Sequence, residues 1–215
     1  MGYLIKRIQQ SFIATILGFL LLSLLLSSCE TKAPPNINNA CAIFQRNPSW
    51  YFASKKTRER WGVPISVQMA LIKYESHFRA TAKPPRRELF GMIPWKRQTT
   101  AYGYAQAIDS TWNQYRKESG NLGANRDIYK DATDFVGWYG YKAHKSAGVK
   151  RTDAYSLYLA YHEGISGYKR KSYQNKAWLI KTAQKVQFAA NQYRNQILSC
   201  EKNITRPSIW NLWQG

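Results

Sequence analysis

Three short segments of this 215-residue chain contain the residue types that acid–base chemistry on a polar substrate requires. Residues 70–78 (ALIKYESHF) contain one carboxylate, Glu75, followed by the hydroxyl of Ser76. Residues 103–106 (GYAQ) have the composition of a tight polar turn, and residues 160–164 (AYHEG) combine aromatic, imidazole and carboxylate groups. A carboxyl group can give and take a proton when its pKa lies near the working pH. Glu75 is therefore the first candidate for a catalytic acid or base.

The pattern around Glu75 favours a raised pKa for its carboxyl group. A helix that begins at Pro64 places Glu75 in its last turn, where the partial negative charge of a helix C-terminus disfavours a carboxylate. Burial beside an apolar side chain such as Phe78 raises the pKa of a carboxyl group further. Lys73 and Arg79 would oppose this shift if either approached. The alternative is a solvated carboxylate at a helix end, where most glutamates lie.

Helices are the elements expected to position these segments. Apolar residues recur at intervals of three and four, which is typical of amphipathic helices. The predicted helices span about residues 49–62, 64–76, 109–118, 131–146, 153–162 and 179–197. Asp109 or Ser110 is expected to cap the third, and Gly62 and Gly120 are expected stops. Residues 83–100 contain three prolines and are predicted to form a loop or a short hairpin. The fold class is therefore mainly α, with a short loop or hairpin insertion.

The N-terminus has the pattern of an export signal. Lys6 and Arg7 precede an apolar stretch, residues 12–26, and the sequence LSSC ends at Cys29. This pattern predicts a signal peptide over residues 1–28. The LSSC sequence also resembles a bacterial lipobox, which implies lipidation of Cys29 and attachment to a membrane through that lipid anchor. The alternatives are an uncleaved membrane helix, for which the stretch is short, and soluble secretion.

The residues after Cys29 predict a tether and a location. Residues 29–40 are rich in proline and asparagine and lack an apolar pattern, so they are predicted to be a linker. Glu30 replaces the aspartate that often implies inner-membrane retention of Gram-negative lipoproteins. The expected location is therefore the periplasmic face of the outer membrane. Residues 41–200 are the predicted domain, and residues 201–215 form a tail of unknown role.

Two cysteines remain in the predicted domain, and they lie near its two ends. In an oxidising compartment the pair Cys41 and Cys200 favours a disulfide, and the alternative is two unpaired buried thiols. The three histidines, His77, His144 and His162, show no ligand spacing with the cysteines. No metal site is therefore predicted.

The net charge of +20 indicates an anionic partner. The candidates are a nucleic acid, a membrane surface or an acidic polymer, and the alternative is that the charge serves solubility alone. No recognised nucleic-acid-binding motif is present, and an export signal argues against a nucleic acid as partner.

The order and spacing of the three segments resemble the catalytic core of the soluble lytic transglycosylases, the lysozyme-like murein lyases. Members of that family have a helix that ends in Glu-Ser, then a Gly-x-x-Gln turn, then Ala-Tyr-Asn-x-Gly, and the resemblance covers residues 60–165. It implies a lysozyme-like α(+β) domain with Glu75 as the single catalytic carboxylate. The residues implied to contact substrate are Ser76, Gly103, Tyr104, Ala105, Gln106, Tyr161 and His162.

The chain departs from the family pattern at one position. His162 stands where the family has asparagine, and Glu163 follows it. The amide contact of that asparagine to a sugar therefore cannot be carried over. Glu163 is either a second catalytic carboxylate, as in paired-carboxylate glycosidases, or a solvated helix end.

The resemblance implies cleavage of peptidoglycan glycan strands without a metal or a cofactor. Glu75 would protonate the bond between N-acetylmuramic acid and N-acetylglucosamine, and the C6 hydroxyl would close a 1,6-anhydro ring. Tyr104, Tyr161 and Trp112 are candidates to stack on sugar rings, whereas Trp138 is expected to be buried in the core.

Three other functions remain open at this point. One is a goose-type-like lysozyme, which would use water as acceptor with the same Glu75. The second is a lipoprotein that binds peptidoglycan without cleaving it. The third, suggested by charge alone, is a protein that binds a nucleic acid or a membrane surface.

Overall fold

The computed structural model describes residues 32–89, 93–97 and 99–204. The predicted signal peptide, Cys29 and most of the predicted tail lie outside these residues. The helices are α1 (Ala40–Arg46), α2 (Pro48–Trp61), α3 (Ile65–Ser76), α4 (Asp109–Ser119), α5 (Tyr129–Ala147), α6 (Ala154–Lys169) and α7 (Ala177–Cys200), and the strands are β1 (Arg86–Leu89) and β2 (Ile93–Arg97). The mainly α class predicted from the sequence is confirmed for the described residues.

Proline and glycine define several helix ends, as the sequence predicts. Pro48 occupies the first turn of α2, where its missing N–H costs no hydrogen bond, and Gly62 ends that helix with φ 74°. Helix α3 follows Pro64. The segment between α3 and α4 contains a short antiparallel hairpin in which Arg86 lies opposite Arg97. The hairpin alternative for residues 83–100 is therefore the one observed.

Two predictions about individual elements were wrong, and one helix was not predicted. Neither Asp109 nor Ser110 caps α4, because the cap position is Ile108 and the backbone N–H of Asp109 is bound by Oγ1 of Thr100, 2.9 Å away. The predicted helix 153–162 continues as α6 to Lys169, across a kink at Gly164. Helix α1 had no signal in the sequence, because it is only 7 residues long and follows the polar segment.

Helix α3 lies in the centre of the core. Its residues from Ile65 to Ile72 are all buried. Helix α7 packs against both α3 and α6, α2 packs against α5, and α5 also packs against α3 and α6. The C-terminal end of α3, which carries Glu75, is therefore enclosed by helices from the second half of the chain.

The predicted tether spans residues 29–40. Its last part is docked on the domain and is not a free linker. The hydroxyl of Tyr193 donates to the carbonyl of Ile37, and Nζ of Lys73 lies 2.7 Å from Oδ1 of Asn38. A disulfide joins Cys41 of α1 to Cys200 at the end of α7, with 6.0 Å between their Cα atoms. These contacts hold the N-terminal segment against α7. Among the described helices, none combines the length and apolar character needed to cross a bilayer.

Candidate active site

A cavity of about 540 Å³ opens at the C-terminal end of α3. Residues from α3, the segment 99–111, α5 and α6 contribute to its walls. The lining residues are Glu75, Thr99, Ala101, Gln106, Ala107, Ile108, Thr111, Phe135, Tyr139, Tyr161, His162, Glu163 and Gly164. The three segments that the sequence singles out therefore meet at one place.

Glu75 lies in the last turn of α3, and burial raises the pKa of its carboxyl group to about 8. Among the described residues, none forms a hydrogen bond or an ion pair with this carboxyl group. Nζ of Lys73 is bound to Asn38, and Nε of Arg79 donates to the carbonyl of Ser76, so neither cation contacts it. Glu75 is thus protonated at neutral pH and can donate its proton to a bound molecule.

Two tyrosines, Tyr158 and Tyr161, lie near enough to Glu75 for its charge to act on them. Burial raises the pKa of Tyr158 and that of Tyr161, and the negative charge of ionised Glu75 raises both further. Both tyrosines therefore stay neutral at physiological pH. They provide a polar but uncharged surrounding in which the ionised form of Glu75 has no stabilising cation.

A sharp turn ends α3 immediately after Ser76. His77 and Phe78 both have positive φ, 54° and 58°, which costs about 1–3 kcal/mol for each such residue. The turn sends Phe78 into the core, where its ring stacks on Trp50 at 6.1 Å. The packing of Phe78 holds this conformation and so fixes the end of the helix that carries Glu75.

Ser76 does not line the cavity. Its side chain is fully buried, and its Oγ donates to the carbonyl of Ile72 within the same helix at 3.2 Å. The substrate contact expected for Ser76 from the resemblance has no support in this position, because the hydroxyl hydrogen is used and the side chain is shielded from solvent.

The turn that contains Gly103 is built on main-chain contacts to distant residues. The N–H of Gly103 donates to the carbonyl of Ala82 at 2.9 Å, and the N–H of Tyr104 donates to the carbonyl of Arg126 at 3.1 Å. Gly103 has φ 79°, and a Cβ atom on it would lie 2.1 Å from the carbonyl oxygen of Arg126. Only glycine fits this position without a backbone shift.

Gln106 is the member of the predicted turn that lines the cavity. Its Nε2 donates to the carbonyl of Ala82 at 2.9 Å and to that of Gly103 at 2.8 Å. Both amide hydrogens are therefore used, and only Oε1 can interact with a ligand. The side chain of Gln106 can thus accept a hydrogen bond from a hydroxyl or an amide N–H in the cavity.

Three aromatic side chains are buried in the core, and two of them are candidates to stack on sugars. Tyr104 is 1% exposed, Trp112 5% and Trp138 3%. Burial is the expected outcome for Trp138, whereas the stacking role expected for Tyr104 and Trp112 was wrong. Their rings pack on other aromatic rings: Tyr104 meets Trp50 at 5.5 Å, and Trp112 meets Phe135 at 5.2 Å.

Tyr161 lines the cavity and connects it to the turn. Its hydroxyl donates to the carbonyl of Ala105 at 2.5 Å. The side chain of Ala105 is buried, so this residue contributes its carbonyl to the turn and no side-chain surface to the cavity. Tyr161 also packs against Tyr139 at 4.9 Å. It therefore holds the turn and α6 together beside Glu75.

Glu163 is neither a second acid nor a solvated helix end. Its side chain is only 4% exposed, and its Oε1 lies 2.6 Å from Nζ of Lys176. Hydrogen bonds from Lys176 and Ser172 lower the pKa of Glu163 to about 2. The group is therefore ionised throughout the physiological range and cannot donate a proton. Nδ1 of His162 lies 3.1 Å from the same Oε1.

Several residues of the site were missed by sequence reasoning. Phe135 and Tyr139 recur at helical spacing in α5, which signals a buried side but not the cavity. Arg126, which does not line the cavity but braces the segment that does, had no signal; its Nη1 lies 2.9 Å from the carbonyl of Thr100, 2.9 Å from that of Ala107 and 2.8 Å from Oδ1 of Asp109. Among the described residues there is no group of three or more His, Cys, Asp or Glu that could hold a metal ion.

One family model matches this chain. Its description is Transglycosylase SLT domain, and it matches residues 17–200, a range that includes all helices from α1 to α7 and all three segments of the site. Searches of curated proteins and of solved structures each found no match.

Replacement of Gly103 by alanine is expected to destabilise the protein by several kcal/mol, because the new Cβ atom meets the Arg126 carbonyl and the residue has positive φ. Gly120→Ala is the matched control. Gly120 has nearly the same φ, 73°, but no atom lies within 4 Å of its Cβ position, so we expect a loss of about 1 kcal/mol. Urea unfolding measures both. Equal losses would contradict the close approach at Gly103.

Replacement of Glu75 by glutamine is expected to stabilise the fold in a pH-dependent manner. Burial raises the pKa of Glu75 from 4.5 to about 8, so the wild type loses stability as pH rises from 4.5 to about 8. The gain in the free energy of unfolding from Glu75→Gln is absent below pH 4.5. It grows by at most about 1.4 kcal/mol per pH unit between pH 4.5 and about pH 8, and it is constant above that pH. Thermal unfolding across this range measures it. Exposed Glu59→Gln is the control; a pH-independent gain for Glu75→Gln would disprove the shift.

Proposed function

Because the chain belongs to the transglycosylase SLT-domain family and has its mainly α, lysozyme-like fold, we propose that it is a lytic transglycosylase that cleaves the glycan strands of peptidoglycan. Glu75 is the single catalytic acid and base in this proposal. The observation that carries it is the carboxyl group of Glu75, which lies in the cavity with a pKa of about 8 and without a cation beside it.

The first step is protonation of the leaving group. Protonated Glu75 donates its proton to the glycosidic oxygen between N-acetylmuramic acid and N-acetylglucosamine. The bond between this oxygen and C1 breaks, its electron pair stays on the oxygen, and the N-acetylglucosamine side leaves with a free 4-hydroxyl. The acetamido oxygen of the muramic sugar stabilises the positive charge that develops at C1, a substrate-assisted route used where a second carboxylate is not engaged.

The second step uses the ionised form of Glu75. A carboxylate without a counter-ion in a desolvated position is a strong base, so Glu75 takes the proton of the C6 hydroxyl. The C6 oxygen closes onto C1 and gives a 1,6-anhydro end. Glu75 is protonated again, and no water is consumed.

The position of Glu163 supports a route with one carboxylate. Retaining and inverting glycosidases need a second carboxylate free to act as nucleophile or base. Glu163 is the other carboxylate in the cavity wall, and its oxygens are bound by Lys176 and Ser172. A group engaged in this way with a pKa of about 2 is a weak base.

The charge of the chain fits an acidic polymer as partner. Without residues 1–28 the net charge is +18, because that segment holds two cations and no acid. The stem peptides of peptidoglycan carry carboxylates, so the glycan lies within an anionic surrounding that a basic protein approaches favourably.

The products formed from purified sacculi test the proposed reaction. Protein without residues 1–28 should release muropeptides with 1,6-anhydro ends, and Glu75→Gln should reduce their yield at least about 100-fold, because the proton transfer is lost. Glu59→Gln, at an exposed position of α2, should retain the activity. Mass spectrometry distinguishes the outcomes. Reducing ends would indicate a goose-type-like lysozyme, and sacculus binding without any products would indicate a binding lipoprotein.

We further propose that the protein is lipid-anchored through Cys29 at the periplasmic face of the outer membrane. The support is the export signal and the LSSC sequence, with Glu30 after the cysteine. In a Gram-negative host, an alkyne-labelled fatty acid should be incorporated into the wild type and into Ser28→Ala, but not into Cys29→Ala. Labelled protein should sediment with outer membranes; an unlabelled wild type would rule out the anchor.

A further inference from the structure

We propose that Trp178 and His162 form a saccharide subsite beside the Glu75 cavity. An N-acetylhexosamine ring of the glycan stacks on the exposed indole of Trp178, and one of its hydroxyl or amide hydrogens is donated to Nε2 of His162. The inference rests on the proposed glycan substrate and extends it, because it identifies side chains that select the sugar at a position where the chain departs from the family pattern.

Trp178 is more exposed than the other tryptophans whose side chains the structure describes. It is the second residue of α7 and is 56% exposed, whereas Trp50, Trp112 and Trp138 are buried. An exposed indole presents a large apolar surface that a ligand can cover. The apolar C–H face of a pyranose ring fits such a surface, and the polar edge of the sugar stays available for hydrogen bonds.

His162 connects Trp178 to the cavity. Its ring lies 5.0 Å from the ring of Trp178 at an interplanar angle of 78°, and the residue itself lines the cavity that contains Glu75. A sugar that stacks on Trp178 is therefore next to a residue of the cavity wall. A glycan strand bound across the cavity would pass His162 before it reaches Trp178.

Glu163 determines which nitrogen of His162 can meet a ligand. The carboxylate of Glu163 is ionised and can only accept a hydrogen bond, so Nδ1 of His162 carries the hydrogen at their 3.1 Å contact. In the neutral ring Nε2 is then an acceptor. No described residue forms a hydrogen bond with Nε2. Hydroxyl and acetamido N–H groups are the donors that a hexosamine offers to such an atom.

The same carboxylate holds Trp178 in place. Nζ of Lys176, the residue that precedes α7, lies 2.6 Å from Oε1 of Glu163, and Ser172 donates to Oε2 of Glu163. Gly167 allows this close approach, because a Cβ atom there would lie 3.0 Å from Oγ of Ser172. Glu163 is thus a positioning residue that orients the imidazole and ties the start of α7 to α6.

Binding of an N-acetylglucosamine tetramer tests the subsite in the full chain with Glu75→Gln, which prevents cleavage. In isothermal titration we expect Trp178→Ala to weaken binding about tenfold and Trp178→Phe to restore part of it, because stacking needs an aromatic face. His162→Ala should weaken binding about threefold, because one hydrogen bond to the sugar is lost. Phe188→Ala, which removes an aromatic residue 63% exposed on the same helix, is the control and should change the Kd less than twofold.

The outcomes separate the subsite from the proposed reaction. If Trp178→Ala and His162→Ala both bind within twofold of the Glu75→Gln parent, or if that parent does not bind the tetramer, the subsite is wrong. If binding depends on Trp178 but wild-type protein forms no products from sacculi, the subsite stands and the proposed reaction fails.

Ring nitrogen-15 spectra of His162 test the positioning role of Glu163. The wild type should show a protonated Nδ1 and an unprotonated Nε2 in the neutral ring. Glu163→Gln should lose this tautomer preference and bind the tetramer as weakly as His162→Ala. A merely structural role would lower the melting temperature without a change in the tautomer, and that result would overturn the assignment.

Discussion

The arrangement of this protein depends on one carboxyl group, that of Glu75, which lies at the wall of a cavity with no cation of the described residues beside it. Burial without a counter-charge makes the ionised form costly, and it raises the pKa of Glu75 to about 8. The packing of α3 within the core provides the stability that compensates for this cost. Phe78 anchors the turn behind Glu75, and α7, tied to α1 by the disulfide between Cys41 and Cys200, packs along α3.

The two carboxylates of the cavity wall have opposite properties because their surroundings differ. Glu75 has tyrosines near it and a raised pKa, whereas Glu163 has Lys176 and Ser172 as partners and a pKa lowered to about 2. One group is therefore suited to moving protons and the other to holding neighbours in place. Two carboxyl groups in one cavity can thus have different roles, one as an acid and one as a structural anion, because their surroundings shift their pKa values in opposite directions.

Main-chain groups build the wall opposite Glu75. In the turn at Gly103, backbone N–H groups donate to the carbonyls of Ala82 and Arg126. Gln106 donates both of its amide hydrogens to carbonyls of Ala82 and Gly103. Tyr161 adds a hydroxyl bond to the Ala105 carbonyl. The cavity thus combines a rigid polar wall with the desolvated acid. Rigid walls position a substrate for proton transfer without further loss of conformational freedom.

The sequence by itself determined most of the helices, the order of the three segments and the position of Glu75 in a last helical turn. These features depend on neighbours within about one or two turns, such as Pro48, Gly62 and the apolar period of α3. It also indicated that Cys41 and Cys200 would pair. Only the tertiary structure decided that Ser76 and Tyr104 are buried, that Lys176 neutralises Glu163, and that residues 36–40 dock on α7. Burial and ion pairing depend on segments far apart in the chain, and no local pattern records which side of a helix its distant partners will cover.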